Sequence, residues 1–342
     1  MTKTLQNKIE IVAELAQGFE GKPMLASLLL KAAAEAGADA AKFQLVRADE
    51  LGTPDYKYYG LFKSLEMSDD AWAGLAKYAN DSGIALQFDV FGEKSLGLAA
   101  RLGVDTVKLH STDLSNLGLL ASVADSSVRR VMLGAGGAYF REIETALELV
   151  GNKQVVVLLG FQGYPTPNDS NQIARVSTFV ERFAELGKVS IGFADHAAPE
   201  DPARFSLAAV ALGAGAHVFE KHLTLGRNMK LEDHESALNP DEFGEFCRTI
   251  RNCEAALGSV VDVEDFGMSD AEQDYRKMVR RHVVAARELP EGKLLEPADL
   301  CLKRSNVTDF VTDLDQVYGT VLRRALRANE PMLSADLHDG EQ

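Results

Sequence analysis

Two histidines end the last two apolar runs in the first three-quarters of the chain. They are His196 in Ile191-Gly-Phe-Ala-Asp-His-Ala197 and His222 in Val218-Phe-Glu-Lys-His-Leu-Thr224. Neutral imidazoles on rigid strand ends suit a divalent metal; two unrelated polar residues at strand ends are the plainer alternative. Other reactive side chains recur at the same relative place, just where an apolar run stops: Glu14; Lys42 and Gln44; Asp89; Lys108, His110 and Ser111; Gln162 and Tyr164; Asp195; Glu220 and Lys221. The two-residue period of a strand puts Lys42 with Gln44 on one face, Lys108 with His110, and Glu220 with His222. Lysines turned into a core cannot stay unpaired there. Either they pair with carboxylates such as Glu14 and Asp89, or they await an anionic ligand. Phosphate suits them as point charges, aided by Ser111 and by backbone N–H groups of the turn Gly134-Ala-Gly-Gly137.

Eight short runs carry these groups: Ile9–Leu15, Ala40–Val46, Ala85–Val90, Thr106–Ser111, Arg130–Gly134, Gln154–Phe161, Val189–Ala194 and His217–Leu223. Between them lie segments with apolar residues at helical spacing, such as Leu25–Gly37, Ala71–Gly83, Leu96–Gly103, Glu142–Gly151, Val176–Leu186, Phe205–Gly213 and Phe243–Gly258. Several end in Gly before the next run, the usual helix-to-strand punctuation. Eight such units in about 250 residues is the rhythm of a (β/α)8 barrel. An open doubly wound sheet is the alternative, but no GxGxxG follows the first run. In a barrel, all these strand-end groups share one mouth at the C-terminal face. The expected organisation is a catalytic barrel over residues 1–259, an acidic linker over 260–277, and a small β-rich domain over 278–342. In the last, His282-Val-Val-Ala-Ala286, Leu300-Cys-Leu-Lys303, Val317-Tyr-Gly319 and Ala328-Asn-Glu-Pro331 read as strand-like pieces. A unit of that size has a marginal core and is expected to dock on the barrel or on a second subunit.

Composition narrows the function classes. The 342 residues are 46% apolar and 25% charged, which suits a soluble chain with a large core. A net charge of −15 argues against a nucleic-acid or anionic-membrane surface. The three cysteines, Cys247, Cys253 and Cys301, lack metal or disulfide spacing and read as reduced thiols. No signal-peptide core opens the chain and no apolar run is long enough to span a bilayer, so the expected location is cytoplasmic. Trp72 reads as half-buried helix packing, and His217, at a strand start, as structural.

Several stretches carry a wider likeness. Val12-Ala-Glu-Leu15, Ala36-Gly-Ala-Asp-Ala-Ala-Lys-Phe-Gln44, Val107-Lys-Leu-His-Ser111, Gly163-Tyr-Pro-Thr-Pro167, Gly192-Phe-Ala-Asp-His196, Phe219-Glu-Lys-His-Leu-Thr224 and Leu302-Lys-Arg304 resemble the N-acetylneuraminate (sialic acid) synthase family, which includes the legionaminic and pseudaminic acid synthases. The likeness runs in order along nearly the whole chain. It implies a (β/α)8 TIM barrel followed by an antifreeze-like (SAF) domain, in a domain-swapped homodimer. The implied reaction joins phosphoenolpyruvate (PEP) to an open-chain N-acetylhexosamine with a divalent metal, Mn²⁺ or Mg²⁺, and releases phosphate. By resemblance, His196 and His222 hold the metal, and Lys42, Lys108, Ser111 and Gln162 hold PEP. Glu220 lies near the reacting carbon, with Lys108 and Glu14 in catalytic reach. Glu14, Tyr164 and Asp233 face the sugar, and Arg304 is lent to the sugar pocket by the partner. Asp89, Gly134 and Ala194 stand where the family carries Thr, Ser and Ser. Two rival readings are a Schiff-base aldolase using Lys108 or Lys42, and a catalytically reduced sugar- or anion-binding protein.

Overall fold

Alternating strand and helix patterns become a closed parallel barrel in the computed structural model, which describes residues 8–161, 163–258 and 267–337. The chain divides into two units, Met1–Gly258 and Ser259–Gln342. In the first, strands β1 (Glu10–Ala16), β2 (Ala40–Gln44), β3 (Ala85–Asp89), β4 (Thr106–Leu109), β5 (Arg130–Gly134), β6 (Gln154–Leu159), β7 (Val189–Asp195) and β8 (Val218–His222) pair in chain order, and β8 closes on β1. Helix α1 (Pro23–Ala36) follows β1, and α2 (Ala48–Leu51), α3 (Tyr59–Leu65) and α4 (Asp69–Asp81) follow β2. One helix follows each later strand: α5 (Glu93–Arg101), α6 (Leu117–Asp125), α7 (Phe140–Leu149), α8 (Arg175–Phe183), α9 (Ser206–Gly213) and α10 (Pro240–Leu257). Helix α6 is one that the periodicity did not single out; the Asn116 side chain accepts from the Leu119 N–H and starts it. No helix among the described residues is long and apolar enough to cross a membrane.

Helix α1 shows how the local code works. Pro23 opens it, Ala26, Leu29, Leu30 and Ala33 form its buried stripe, and Gly37 ends it in the left-handed region at φ 88°. The stripe faces the outer wall of the barrel, where Trp72 of α4 sits fully buried against Phe19, Phe43 and Phe88 with ring centroids 5.2–5.9 Å apart. The half-buried placement expected for Trp72 is therefore corrected. Strands β2 and β3 turn Phe43 and Phe88 outward, and helix α4 covers both with its largest side chain.

The barrel interior is layered, because alternate residues of every strand point inward. At the floor Glu10 pairs with Arg130 at 2.5 Å and accepts from Gln87 at 2.8 Å. Above it Val12, Ala40, Met132, Val156 and Val218 form an apolar layer. One step further up, the inward residues are Glu14, Lys42, Asp89, Lys108 and Glu220, all buried. A β-bulge between Glu14 and Ala16 bends β1 at this level, and the Ala16 N–H donates to Glu14 Oε1 at 2.8 Å. The loops after β5 and β6 pass so closely that a Cβ on Gly136 would lie 1.9 Å from the Gly160 carbonyl oxygen. Only glycine fits there.

In the second unit β9 (His282–Ala285) pairs antiparallel with β10 (Leu300–Lys303) over a core that includes Val283, Leu295, Val317, Leu322 and Met332. Two loops of this unit share one design. Arg287 binds the buried Asp299 twelve residues on, Arg324 binds the buried Asp336 twelve residues on, and each aspartate also accepts a backbone N–H three residues before it. The pieces at 317–319 and 328–331 are not strands: the first is a turn ending at Gly319, φ 79°, and the second holds Asn329 at φ 67° beside an isolated bridge from Val284 to Pro331. Within the stretch expected as linker, Ser269 caps helix α11 (Asp270–Val279) by accepting from the Glu272 N–H at 3.2 Å.

Candidate active site

The polar layer of the barrel forms a cage of five ionisable side chains. Lys42 lies against Glu14, 2.6 Å from Asp89 Oδ1 and 3.4 Å from Glu220 Oε2. Lys108 lies 2.6 Å from Glu220 Oε1 and 3.7 Å from both Glu14 and Asp89. The strands bring these groups level: Glu14 pairs in register with Lys42, and Asp89 with Lys108. Burial alone drives Glu14, Lys42 and Glu220 towards their neutral forms. For Glu14 burial wins, helped by Asp89 and Glu220 and opposed by Lys42, and its carboxyl is pushed up to about 8. Glu220 is buried equally, but Lys108 and then Lys42 hold its carboxyl well below the usual range. Lys42 is likewise held well above its ordinary value, against the pull of burial, by Asp89, Glu14 and Glu220. With Glu14 protonated, Lys42 and Lys108 still have Asp89 and Glu220 as partners within the cage.

Directly above, His196 and His222 bring their ring centroids to 5.2 Å, and the ring of Tyr164 meets both edge-on at 5.3 and 5.6 Å. Burial pushes His196 down to about 3 and His222 well below its ordinary value, the latter helped by His196 itself. Both rings are therefore neutral, and the buried Nδ1 of His196 has no hydrogen-bond partner. Two neutral imidazoles, one with an unused buried nitrogen, fit a divalent metal. Among the described residues no third His, Cys, Asp or Glu joins them in a ligand cluster. Water and substrate oxygen would complete the coordination.

The remaining expected residues distribute unevenly. Ser111, half-buried, opens a single 3-10 turn directly after β4 and His110. Asp233 is half-buried at φ 65°, and burial, then Glu232 and Glu235, push its carboxyl up to about 6. Loss of water and then the Asp233 charge hold the Tyr164 hydroxyl above its usual range, which puts these two side chains in electrostatic reach. Gln162 lies outside the described residues. Arg304 belongs to the second unit, exposed just beyond β10. Gln17 was not anticipated: its Nε2 donates to Gln44 Oε1 at 2.6 Å, and its only sequence signal is a polar residue just past β1. The His217 ring contacts the Gly215 carbonyl at 3.0 Å just before β8. A cavity of about 360 Å³ does lie near this face, but its walls include Leu159, Phe193 and Val176. Those side chains belong to the packing outside the barrel wall, so it is separate from the caged charges.

Residues 29–262 match the NeuB family. The chain belongs to the NeuB family. Its residues 280–338 also match the SAF domain, in accord with the barrel-plus-SAF organisation expected from the sequence. Among other members of this family, the N,N'-diacetyllegionaminic acid synthase of Legionella pneumophila is 28% identical over 344 residues, 94% of this chain and 93% of its own. The synthase of the same name from Campylobacter jejuni is 30% identical over 323 residues, 89% and 91% of the two chains. Among solved structures, the N-acetylneuraminic acid synthetase of Leptospira borgpetersenii superposes with a TM-score of 0.70 at 24% identity, over 80% of this chain and 93% of that one, a likeness of fold. The spore coat polysaccharide biosynthesis protein SpsE of Bacillus subtilis superposes with a TM-score of 0.64 at 25% identity, over 97% and 96%.

Proposed function

We propose that this NeuB-family chain condenses PEP with the open-chain aldehyde of an N-acetylated hexosamine, yielding a nonulosonic (sialic-type) acid and inorganic phosphate. The observation that carries this reading is the stacked arrangement of two buried lysines and three carboxyls beneath a neutral histidine pair. Lys42 and Lys108 receive the carboxylate and phosphate of PEP, with Ser111 and Gln162 alongside. PEP C3 bonds to the aldehyde carbon, C2 becomes electron-poor, water adds at C2, and the C2–O bond to phosphate breaks. Glu220, held ionised by the lysines, stabilises the positive charge at C2 and orients the water. Glu14 keeps its carboxyl proton at neutral pH and can pass it to the oxygen that was the aldehyde carbonyl. Tyr164 and Asp233 face the sugar. A divalent ion, Mn²⁺ or Mg²⁺, held by His196 and His222 would supply Lewis acidity to that same oxygen. The same reading takes the working form as a cytoplasmic, domain-swapped homodimer in which each copy lends Arg304 to the other.

The caged lysines weigh against a Schiff-base aldolase, which needs a free amine. Lys42 is held cationic by its carboxylates, and Lys108 Nζ is engaged by Glu220 at 2.6 Å. The test is phosphate release by the purified chain with Mn²⁺ or Mg²⁺, PEP and a panel of N-acetylated hexosamines. Release that needs metal, PEP and acceptor together is the expected result, and no release with any acceptor overturns the reading. Borohydride with pyruvate should leave no covalent adduct.

A further inference from the structure

Behind the two histidines the chain buries a second ion pair that the proposed chemistry does not use. Asp195 and Lys221 are register partners on β7 and β8, and each immediately precedes a histidine. Strand alternation turns them away from the barrel interior, to the side where Phe193 and Phe219 pack in the apolar core. Both are at most 1% exposed. Lys221 Nζ lies 3.1 Å from Asp195 Oδ1 and donates to the Ala197 carbonyl at 3.1 Å, while the same Oδ1 accepts the Ala197 N–H at 2.8 Å. The pair thus grips both polar groups of the residue that follows His196. The His196 carbonyl is held in turn by the Thr166 N–H at 2.9 Å and by Ser236 Oγ at 3.0 Å. On the other strand the His222 carbonyl accepts from the Leu238 N–H at 2.9 Å.

A buried pair of opposite charges seldom stabilises a fold more than two apolar residues of the same volume. The attraction between the two charges by itself therefore does not account for placing them beside Phe193 and Phe219. The pair ties the end of β8 to the turn after β7, next in sequence to both imidazoles. A metal site tolerates only about 0.5 Å of error in ligand placement, so a strand-to-strand tie at this level acts on affinity. We propose that Asp195 and Lys221 are positioning residues that set the separation of His196 and His222 and thereby the affinity for a divalent metal. This inference rests on the metal role of the histidines given above.

The test is direct Mn²⁺ binding to the full chain, read by electron paramagnetic resonance, with thermal melting of the metal-free protein as the fold control. In Asp195→Leu/Lys221→Met both charges go and volume is kept. The melting temperature should fall, because the buried Ala197 N–H and carbonyl lose their partners, while the Mn²⁺ Kd of the folded variant rises about tenfold or more, the scale seen when support behind metal ligands is removed. Should that variant fail to fold, Asp195→Asn/Lys221→Gln removes the charges and keeps hydrogen-bonding groups, with the same rise expected. A folded variant whose Kd stays within twofold of the wild type overturns the positioning role alone. A wild type whose Mn²⁺ binding is absent, or survives in His196→Ala/His222→Ala, overturns the metal role and this inference with it.

Discussion

At the scale of single residues, Asp89 decides how open the site is to anions. It holds Lys42 at 2.6 Å and sits 3.7 Å from Lys108, the two cations proposed to take PEP. An incoming anion must compete with that internal carboxylate, and both lysines already have partners when it arrives. Asp89→Asn keeps the shape and a hydrogen-bonding oxygen but frees cationic charge. Its expected effect is binding of inorganic phosphate and of PEP about tenfold tighter, or roughly 1.4 kcal/mol, by calorimetry. Unchanged or weaker binding in a folded variant contradicts the competition. The sequence alone showed that Lys42 and Lys108 needed partners and named Glu14 and Asp89 among them. It did not show that Glu220 would complete the cage, because the pairing depends on strands β2, β4 and β8 facing one another across a barrel.

At the scale of elements, the outer aromatic packing fixes the strand that carries Lys42. Phe43 faces Trp72 on one side of β2 while Lys42 faces the cage on the other. Trp72→Ala leaves a large void under α4, and the expected loss is about 3–5 kcal/mol of stability, measured by urea unfolding followed by circular dichroism. A loss under about 1 kcal/mol contradicts this tight packing. The exposure of Trp72 was misjudged from sequence because helical periodicity marks which face is apolar. It does not tell how deeply three phenylalanines from β1's loop, β2 and β3 enclose that face. The short turn-forming pieces of the second unit misled in a similar way: apolar letters suggested strands, while left-handed Gly319 and Asn329 break the extended backbone.

At the scale of the whole molecule, the second unit carries two predictions, one for its own fold and one for the proposed assembly. In the second unit Asp299 is buried, which opposes its charged form, yet the Glu296 N–H, Arg287 and Lys293 hold its carboxyl below the usual range. Because the folded state lowers this pKa, the stabilisation is present above the ordinary value of 3.8 and is lost as pH falls through the folded value. Asp299→Asn should therefore cost about 1–3 kcal/mol at neutral pH, with the gap closing below about pH 4. Hydrogen-exchange protection of β9 and β10 amides across pH reads this, and a gap that does not narrow at low pH contradicts it. For the proposed homodimer, Arg304→Ala should leave PEP binding intact and lower kcat with the acceptor sugar about tenfold or more. Unchanged steady-state kinetics contradicts the proposed role of Arg304 towards the sugar.

Much of this was legible in one dimension. Strand alternation, glycine-ended helices and eight repeats specify a barrel, because the inward and outward faces of each strand are set by a period of two that any reader of the chain can count. The same count put His196, His222 and Glu220 on inward faces, and Lys42 and Lys108 beside them. Electrostatic state was not legible. Whether Glu14 keeps its proton while Glu220 loses its own depends on distances of a few ångströms between strands 112 residues apart in sequence, as for Lys108 and Glu220. The tie between Asp195 and Lys221 was equally hidden, since both read as polar strand ends with no mark of which wall they join. Sequence determines which residues share a face; only closure of the barrel, by fixing distance and excluding water, decides which of them share a proton, a charge or a metal.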